Sequence, residues 1–319
     1  MSFKTIKGQD RAVKVLKSYS ANSTLQGGYI FSGPQGIGKR LAAKEVAKAL
    51  NCEKLGPDSC GNCASCQRIE HGQHPDIHII ESAESDIKIE DIRSLQKEIS
   101  LRPYEGRVKV FIIDNAHWMN EQASNALLKI LEEPPRFSLI ILVTDKPQLL
   151  FKTIVSRCKA VKFSPLARAS LEGILKEEYG MENIQAHFLA YFCEGRIGRA
   201  LSLKDKDILS EKNRVIDAFN FSSRPNLESL DVKDRQEVRV YLNILATWFR
   251  DMYLVKVGTS YGQLINIDRK EDLLRSMWRF SYPDLNEILT TIANSLHSLE
   301  HRINTTLLLY DLGAILWKG

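Results

Sequence analysis

Four of the six cysteines stand within fifteen residues, as Cys52-x7-Cys60-x2-Cys63-x2-Cys66, while Cys158 and Cys193 stand apart. Two overlapping C-x2-C steps with a fourth thiol nearby suit a tetrahedral ion closed by sulfur on all sides, with no position left for a catalytic water. Zinc is the expected ion; an iron–sulfur cluster and free thiols are the alternatives. Gly61 and Asn62 supply the turn between thiolates, and His71 and His74 are spare ligands that a complete cysteine set does not need. The opening Met1-Ser-Phe-Lys-Thr-Ile-Lys lacks the apolar core and cleavage site of a secretory signal, which favours metal over disulfides. The expected role is structural: the ion ties an insertion into a small knob.

A second group could hold phosphate. Gly33-Pro-Gln-Gly36-Ile-Gly38-Lys39 lies between a strand-like run and a helical one. Glycines there let backbone N–H groups close around an anion, the helix N-terminus adds positive potential, and Lys39 adds a charge. The next residue breaks the pattern. A Ser or Thr hydroxyl would hold Mg²⁺ at position 40; Arg40 has no lone pair to offer. Asp114 closes the apolar run Val110-Phe-Ile-Ile, roughly 75 residues after the loop, where an acid can hold Mg²⁺ or its water. Many ATPases of this layout place a glutamate next, to polarise the attacking water. Asn115 is an amide and cannot take that proton. A third candidate is Arg157, in Ser156-Arg157-Cys158 just after an apolar run; taken alone the signal is weak, since a lone surface arginine is more often solvated or in an ion pair.

The elements that must position these residues follow from the apolar pattern. Strand-like runs are Tyr29 to Ser32, Ile77 to Glu81, Val108 to Asp114, Ser138 to Thr144 and Val161 to Phe163. Between them, Leu41, Val46, Ala47 and Leu50 make one helical face, and Ile89, Ile92, Leu95 and Ile99 another. Ala123, Ala126, Leu127, Ile130 and Leu131 make a third, stopped by Pro134-Pro135. Strands alternating with helices predict a parallel α/β sheet covered on both faces. After Pro165 the reading is helical: Ala167 to Leu203 with breaks at Gly180 and Gly195, a charged linker over Lys204 to Arg214, then rows such as Tyr241, Leu245, Trp248, Met252 and Ile288, Ile292, Leu296, Leu299, Ile303. The chain has 319 residues, 44% of them hydrophobic and 26% charged, with a formal charge of +5. That is ordinary for a globular chain of two or three domains and only mildly favourable to phosphate backbones. No run approaches the roughly 18 to 20 apolar residues that cross a bilayer.

Together these segments resemble the clamp-loader branch of AAA+ proteins. The resemblance is carried by Ile6-Lys-Gly8-Gln9, the Gly33 to Lys39 loop, the four cysteines, Phe111-Ile-Ile-Asp114, Asn125-Ala-Leu-Leu-Lys-Ile-Leu-Glu-Glu-Pro-Pro135, Ser156-Arg157-Cys158 and Gly195-Arg-Ile-Gly198-Arg-Ala200. It is dense over residues 1 to about 205 and rests on helical pattern beyond. It implies an AAA+ P-loop α/β domain at 1–165 with a zinc module at about 52–66, a helical lid at 166–208, and a helical collar at 209–319. Motor members of this branch carry Ser or Thr at position 40, an acid at 115 and a sensing arginine at 198, where this chain has Arg40, Asn115 and Gly198. Thr144 lies where the branch has its first sensor. Arg157, which would serve a neighbour's ATP, is kept. The resemblance therefore implies a non-hydrolysing cytoplasmic subunit of bacterial replication, with ATP binding weak or absent. It would sit in a five-membered ring with motor subunits and a clamp-gripping subunit that loads a sliding clamp onto primed DNA. The rival readings are an independent AAA+ motor, or a zinc-containing nucleic-acid module; against the latter, Cys52 to Cys66 offers one basic residue, Lys54, and no aromatic.

Overall fold

The computed structural model describes residues 2–21, 26–81, 86–220 and 235–299. Its described residues fall into two compact units: Met1–Leu166 with Arg196–Arg199, and Ala167–Gly195 with Ala200–Gly319.

The first unit is built on strands β1 (Gly27–Ser32), β2 (Ile77–Ile80), β3 (Lys109–Ile113), β4 (Ser138–Thr144) and β5 (Cys158–Lys162). They form one sheet in the order β2-β3-β4-β1-β5, and every pair is parallel. Its helices are α1 (Asp10–Ala21), α2 (Lys39–Asn51), α3 (Ala64–Glu70), α4 (Ile89–Ile99), α5 (Glu121–Glu132) and α6 (Lys152–Val155). Successive strand residues point to opposite faces, so an apolar run without alternation must be covered twice. Tyr29, Phe31, Val110, Ile112, Leu139, Ile141 and Val143 face a core with Leu16 of α1, Val46 and Ala47 of α2 and Ile69 of α3. Ile30, Phe111, Ile113, Ile140 and Leu142 face the other, with Ile92, Leu95 and Ile99 of α4 and Leu127, Ile130 and Leu131 of α5. Each fully buried aliphatic side chain there is worth roughly 1.5–3 kcal/mol. Local signals set the helix ends. The Asn120 side chain accepts from the Ala123 N–H at 2.8 Å to start α5, and Glu133, which leaves the helical conformation just before Pro134-Pro135, ends it.

The last strand departs from the sequence reading. It runs over Cys158–Lys162 rather than Val161 to Phe163. As an outer strand it buries only Val161 and exposes Lys159, Ala160 and Lys162, which hides its apolar signature.

The second unit is helical: α7 (Arg168–Glu177), α8 (Asn183–Phe192), α9 (Ile197–Ser202, which begins in the first unit), α10 (Ile208–Asn220), α11 (Arg235–Val257), α12 (Lys270–Ser276) and α13 (Tyr282–Ser298). Gly180 and Gly195 adopt left-handed backbone beyond α7 and α8, as the breaks predict. Tyr241, Leu245, Trp248 and Met252 are buried on α11, and Ile288 and Ile292 on α13; Ile303 lies outside the described residues. The charged stretch Lys204 to Arg214 is not simply a linker. Its second half opens α10, where Lys212 is fully buried, donates to both carboxylate oxygens of Asp268 at 2.6 Å, and lies 5.1 Å from the Phe188 ring centre. A charge run reads as solvent-exposed only until its partner, here 56 residues on, is seen.

Candidate functional site

The glycine loop turns from β1 into α2. Gly36 and Gly38 have φ of 78° and 93°, a left-handed backbone in which glycine carries no steric penalty. Gly38 caps α2 without a side chain, so the orphan N–H groups of the first turn face the loop. Lys39 is buried, and its ammonium donates to the carbonyls of Gly33 at 2.6 Å and Pro34 at 2.8 Å. Burial holds its pKa below the ordinary lysine range, against the pull of Asp145 and Asp114.

Three sequence-predicted departures gather around this loop. Arg40 pairs with Glu81 and approaches Asp114, its Nη1 lying 3.7 Å from Oδ2. A guanidinium thus stands against the acid that the sequence reading offers as a metal ligand. Asn115 has φ of 51°, a conformation that asparagine tolerates better than most residues. Gly198 donates its N–H to the carbonyl of Gly36 at 2.7 Å, and a Cβ at 198 would lie 2.8 Å from that oxygen. The glycine is therefore required by a backbone-to-backbone contact. Sequence reasoning missed Glu81, His117 and Asp145. His117 Nδ1 lies 3.1 Å from Thr144 Oγ1 and 3.5 Å from Asp145 Oδ1, and burial lowers its pKa, favouring the neutral ring. The available signal was position: Asp145 follows the C-terminal end of a central strand, where ligands of open α/β sheets gather.

The cysteine cluster forms as the spacing predicts. The sulfurs of Cys52, Cys60, Cys63 and Cys66 all lie within 4.8 Å of one another. A tetrahedral ion with sulfur ligands near 2.3 Å needs sulfurs roughly 3.8 Å apart, so the set fits after a small contraction. The backbone N–H groups of Cys60, Cys63 and Cys66 each point at the sulfur of the preceding cysteine, at 3.4 Å. Gly61, at φ of 73°, makes the tight turn. The N–H groups of Asn62 and Cys63 draw the Cys60 thiol down to about 6, while burial pushes Cys52 and Cys66 up. His71 and His74 stand outside: His71 Nδ1 meets its own helix at Gln67 O, and His74 lies 3.3 Å from Glu105. The knob is tied down by Lys48, fully buried and paired with Glu45 on α2 and Glu70 on α3.

Arg157 lies elsewhere. It is exposed, donates from Nη2 to Glu132 Oε1 at 2.7 Å, and from Nη1 to the Thr153 carbonyl at 3.1 Å. It precedes Cys158, which pairs with Gly28, whereas the glycine loop follows Ser32, which pairs with Lys162. Four residue-to-residue steps along β1 separate these ends, about 13 Å at ~3.3 Å per step. Arg157 and the loop of its own chain therefore lie at opposite ends of the sheet.

A parallel sheet in this strand order, with a glycine loop after β1 and an acid after β3, is the core of an AAA+ P-loop protein. A solved gamma subunit-related protein of DNA polymerase III from Thermotoga maritima has the same fold, with a TM-score of 0.52 at 18% identity over 96% of this chain and 99% of that one. Two family models fix the class more narrowly: "DNA polymerase III, delta subunit" matches residues 8–167, and its C-terminal counterpart matches 206–313. The chain belongs to that family. Subunit delta' of DNA polymerase III from Bacillus subtilis is 29% identical over 98% of this chain and 97% of its own length. The tau subunit from Escherichia coli is 38% identical, but over 67% of this chain and 34% of its own length. Among the described residues no helix is long and apolar enough to cross a membrane.

Proposed function

We propose that this chain is the delta'-type subunit of a bacterial clamp loader: it does not hydrolyse ATP itself, and it lends Arg157 as an arginine finger to a neighbouring motor subunit. The observation that carries this is the position of Arg157 at the far end of the sheet from its own glycine loop. A phosphate that it touches must come from another chain. Arg40 against Asp114 supports the companion claim, because a cation fixed within the chain competes with Mg²⁺ for the same carboxylate. Asn115 offers no general base. Gly33, Gly36, Gly38 and Lys39 keep the shape of an anion site, with nucleotide bound weakly or not at all. The exposed apolar side chains Leu149, Phe151 and Val155, close before Arg157 in the chain, suit a face that packs on a partner.

In this reading residues 1–165 and the lid at 166–208 pack beside a motor subunit, and 209–319 join the collar of a five-membered ring that also holds a clamp-gripping subunit. The ring opens a sliding clamp on primed DNA in the cytoplasm. Cys52, Cys60, Cys63 and Cys66 hold a structural zinc ion that fixes the knob and takes no part in turnover.

The test is ATP hydrolysis with Mg²⁺ and primed DNA, by the chain alone, with motor subunits, and with Arg157→Ala in the mixture. The expected result is no turnover alone, stimulated turnover in the mixture, and loss of about 10³-fold or more of that stimulation in the variant while the complex still forms. Turnover by the chain alone at the rate of a motor subunit would overturn the reading.

A further inference from the structure

The arginine that serves the neighbour has a partner of its own, and the packing beneath shows that the pairing is built. Glu132 is the last residue of α5, and its Oε1 accepts from Arg157 Nη2 at 2.7 Å. An exposed ion pair alone argues little, since two long side chains meet on many surfaces. Here the residues next to each of them in the chain are locked together. Leu131 and Cys158 both lie against the bare backbone of Gly28 in β1: a Cβ there would meet Leu131 Cδ2 and Cys158 Sγ, each at 2.6 Å. The absence of a side chain at Gly28 lets the end of α5 and the start of β5 close on the same strand, which brings Glu132 and Arg157 side by side. The second anchor is the Thr153 carbonyl, which takes Nη1 at 3.1 Å. Nη1 also makes a long contact to Ser156 Oγ at 3.5 Å, and the remaining guanidinium N–H groups stay available to a ligand.

We propose that Glu132 is a positioning residue for the in-trans reaction: it fixes the plane of the Arg157 guanidinium so that its remaining N–H groups meet the neighbour's phosphate already oriented. This rests on the reading of Arg157 as an arginine finger. An unanchored arginine would lose side-chain freedom at each encounter, whereas a fixed one has lost it on folding.

The test uses the assembled complex with motor subunits, Mg²⁺ and primed DNA. It compares Glu132→Ala, Glu132→Gln, Arg157→Ala and the double variant Glu132→Ala/Arg157→Ala. Turnover at saturating chain and the chain concentration giving half-stimulation are read separately. Glu132→Ala is expected to lower saturating turnover by roughly threefold to tenfold, between the worth of an exposed pair and the cost of a misplaced catalytic group. The half-stimulating concentration should not move. Glu132→Gln, which keeps an acceptor oxygen, should recover most of the rate, and the double variant should match Arg157→Ala alone. Unchanged turnover in Glu132→Ala overturns the proposal, and so does a rise, which would make Glu132 a restraint on the finger. A further drop when Glu132→Ala is added to Arg157→Ala also overturns it, because Glu132 would then act independently. Full stimulation by Arg157→Ala would instead sink the finger reading itself, a failure distinct from the other three.

Discussion

The contact between Gly198 and Gly36 makes a prediction whose sign is set by two opposed effects. Replacing Gly198 by Ala adds one methyl group at the start of α9. Helix propensity favours alanine by at most about 1 kcal/mol, and less so near a helix end. Against this, the new Cβ would lie 2.8 Å from the Gly36 carbonyl oxygen and 3.3 Å from its Cα, both backbone atoms of the glycine loop. They can retreat only by lengthening the 2.7 Å hydrogen bond between Gly198 N and Gly36 O. Overpacking of this kind costs about 1–3 kcal/mol, and a weakened hydrogen bond about 0.5–1.5 kcal/mol. The steric side wins, leaving a net loss of about 1–3 kcal/mol. At about 2–4 °C per kcal/mol for a unit of this size, the melting temperature should fall by about 2–12 °C. Gly173→Ala is the control: it lies within α7, a Cβ there meets nothing within 4 Å, and the expected change is zero to slightly stabilising. Calorimetry of both variants at one pH and salt decides the matter. A rise for Gly198→Ala equal to that of Gly173→Ala would refute the reasoning. Gly198 would then be merely a lost sensor, and not a packing requirement.

Two further predictions concern the cysteine knob and the loop before β3. Metal analysis of the purified chain should give one zinc ion, released on treatment with a mercurial thiol reagent. Cys66→Ser should retain little, since losing a ligand costs more than the roughly 10–100-fold lost with a group behind one; a full equivalent in that variant would exclude the four-sulfur site. Asp76 is fully buried and accepts from the N–H groups of Tyr104, Glu105 and Gly106 at 2.7, 3.0 and 2.7 Å. Burial alone would push its pKa up, but those donors hold it below the ordinary range. A folded pKa below the unfolded one stabilises fully above the unfolded value, and that stability is lost as pH falls through the folded value. Asp76→Asn should therefore cost about 1.5–3 kcal/mol at pH 7, measured by denaturant unfolding, with the gap from wild type narrowing below about pH 4. A gap that stays constant down to pH 3 would show that the carboxylate charge is not involved.

What the sequence disclosed depended on the range of each interaction. The three inner strands, β1, β3 and β4, and the helices around them were legible because burial on both faces writes itself locally, in runs such as Val110-Phe-Ile-Ile or Leu139-Ile-Ile-Leu-Val. The cysteine spacing, the turn at Gly61 and the stop at Pro134-Pro135 are equally local. Arg40 was legible as a departure from the phosphate-loop pattern, but not as the partner of Glu81, which lies 41 residues away. Lys212 read as linker charge because Asp268 is remote in sequence. Gly198 looked like an omission because no pattern announces that another backbone will pass 2.7 Å away. β5 was half hidden by its lysines, which an outer strand can expose and an inner one cannot. The pairing of Glu132 with Arg157 was invisible for the same reason: both residues were quoted as motif members, and only the shared seat on Gly28 joins them.

That the first unit takes Arg196–Arg199 from beyond the start of the second has a consequence for how the protein is made. A ribosome that has released residues up to Leu166 has delivered every strand of the sheet, yet the Gly36 carbonyl still lacks its partner. The missing stretch emerges 33 residues later, about 2–7 s at ordinary rates of synthesis. For that interval the glycine loop is a nascent structure with one backbone acceptor turned to water, and it closes only once α7 and α8 have left the tunnel. The order of synthesis therefore makes the loop one of the last parts of its own unit to be finished.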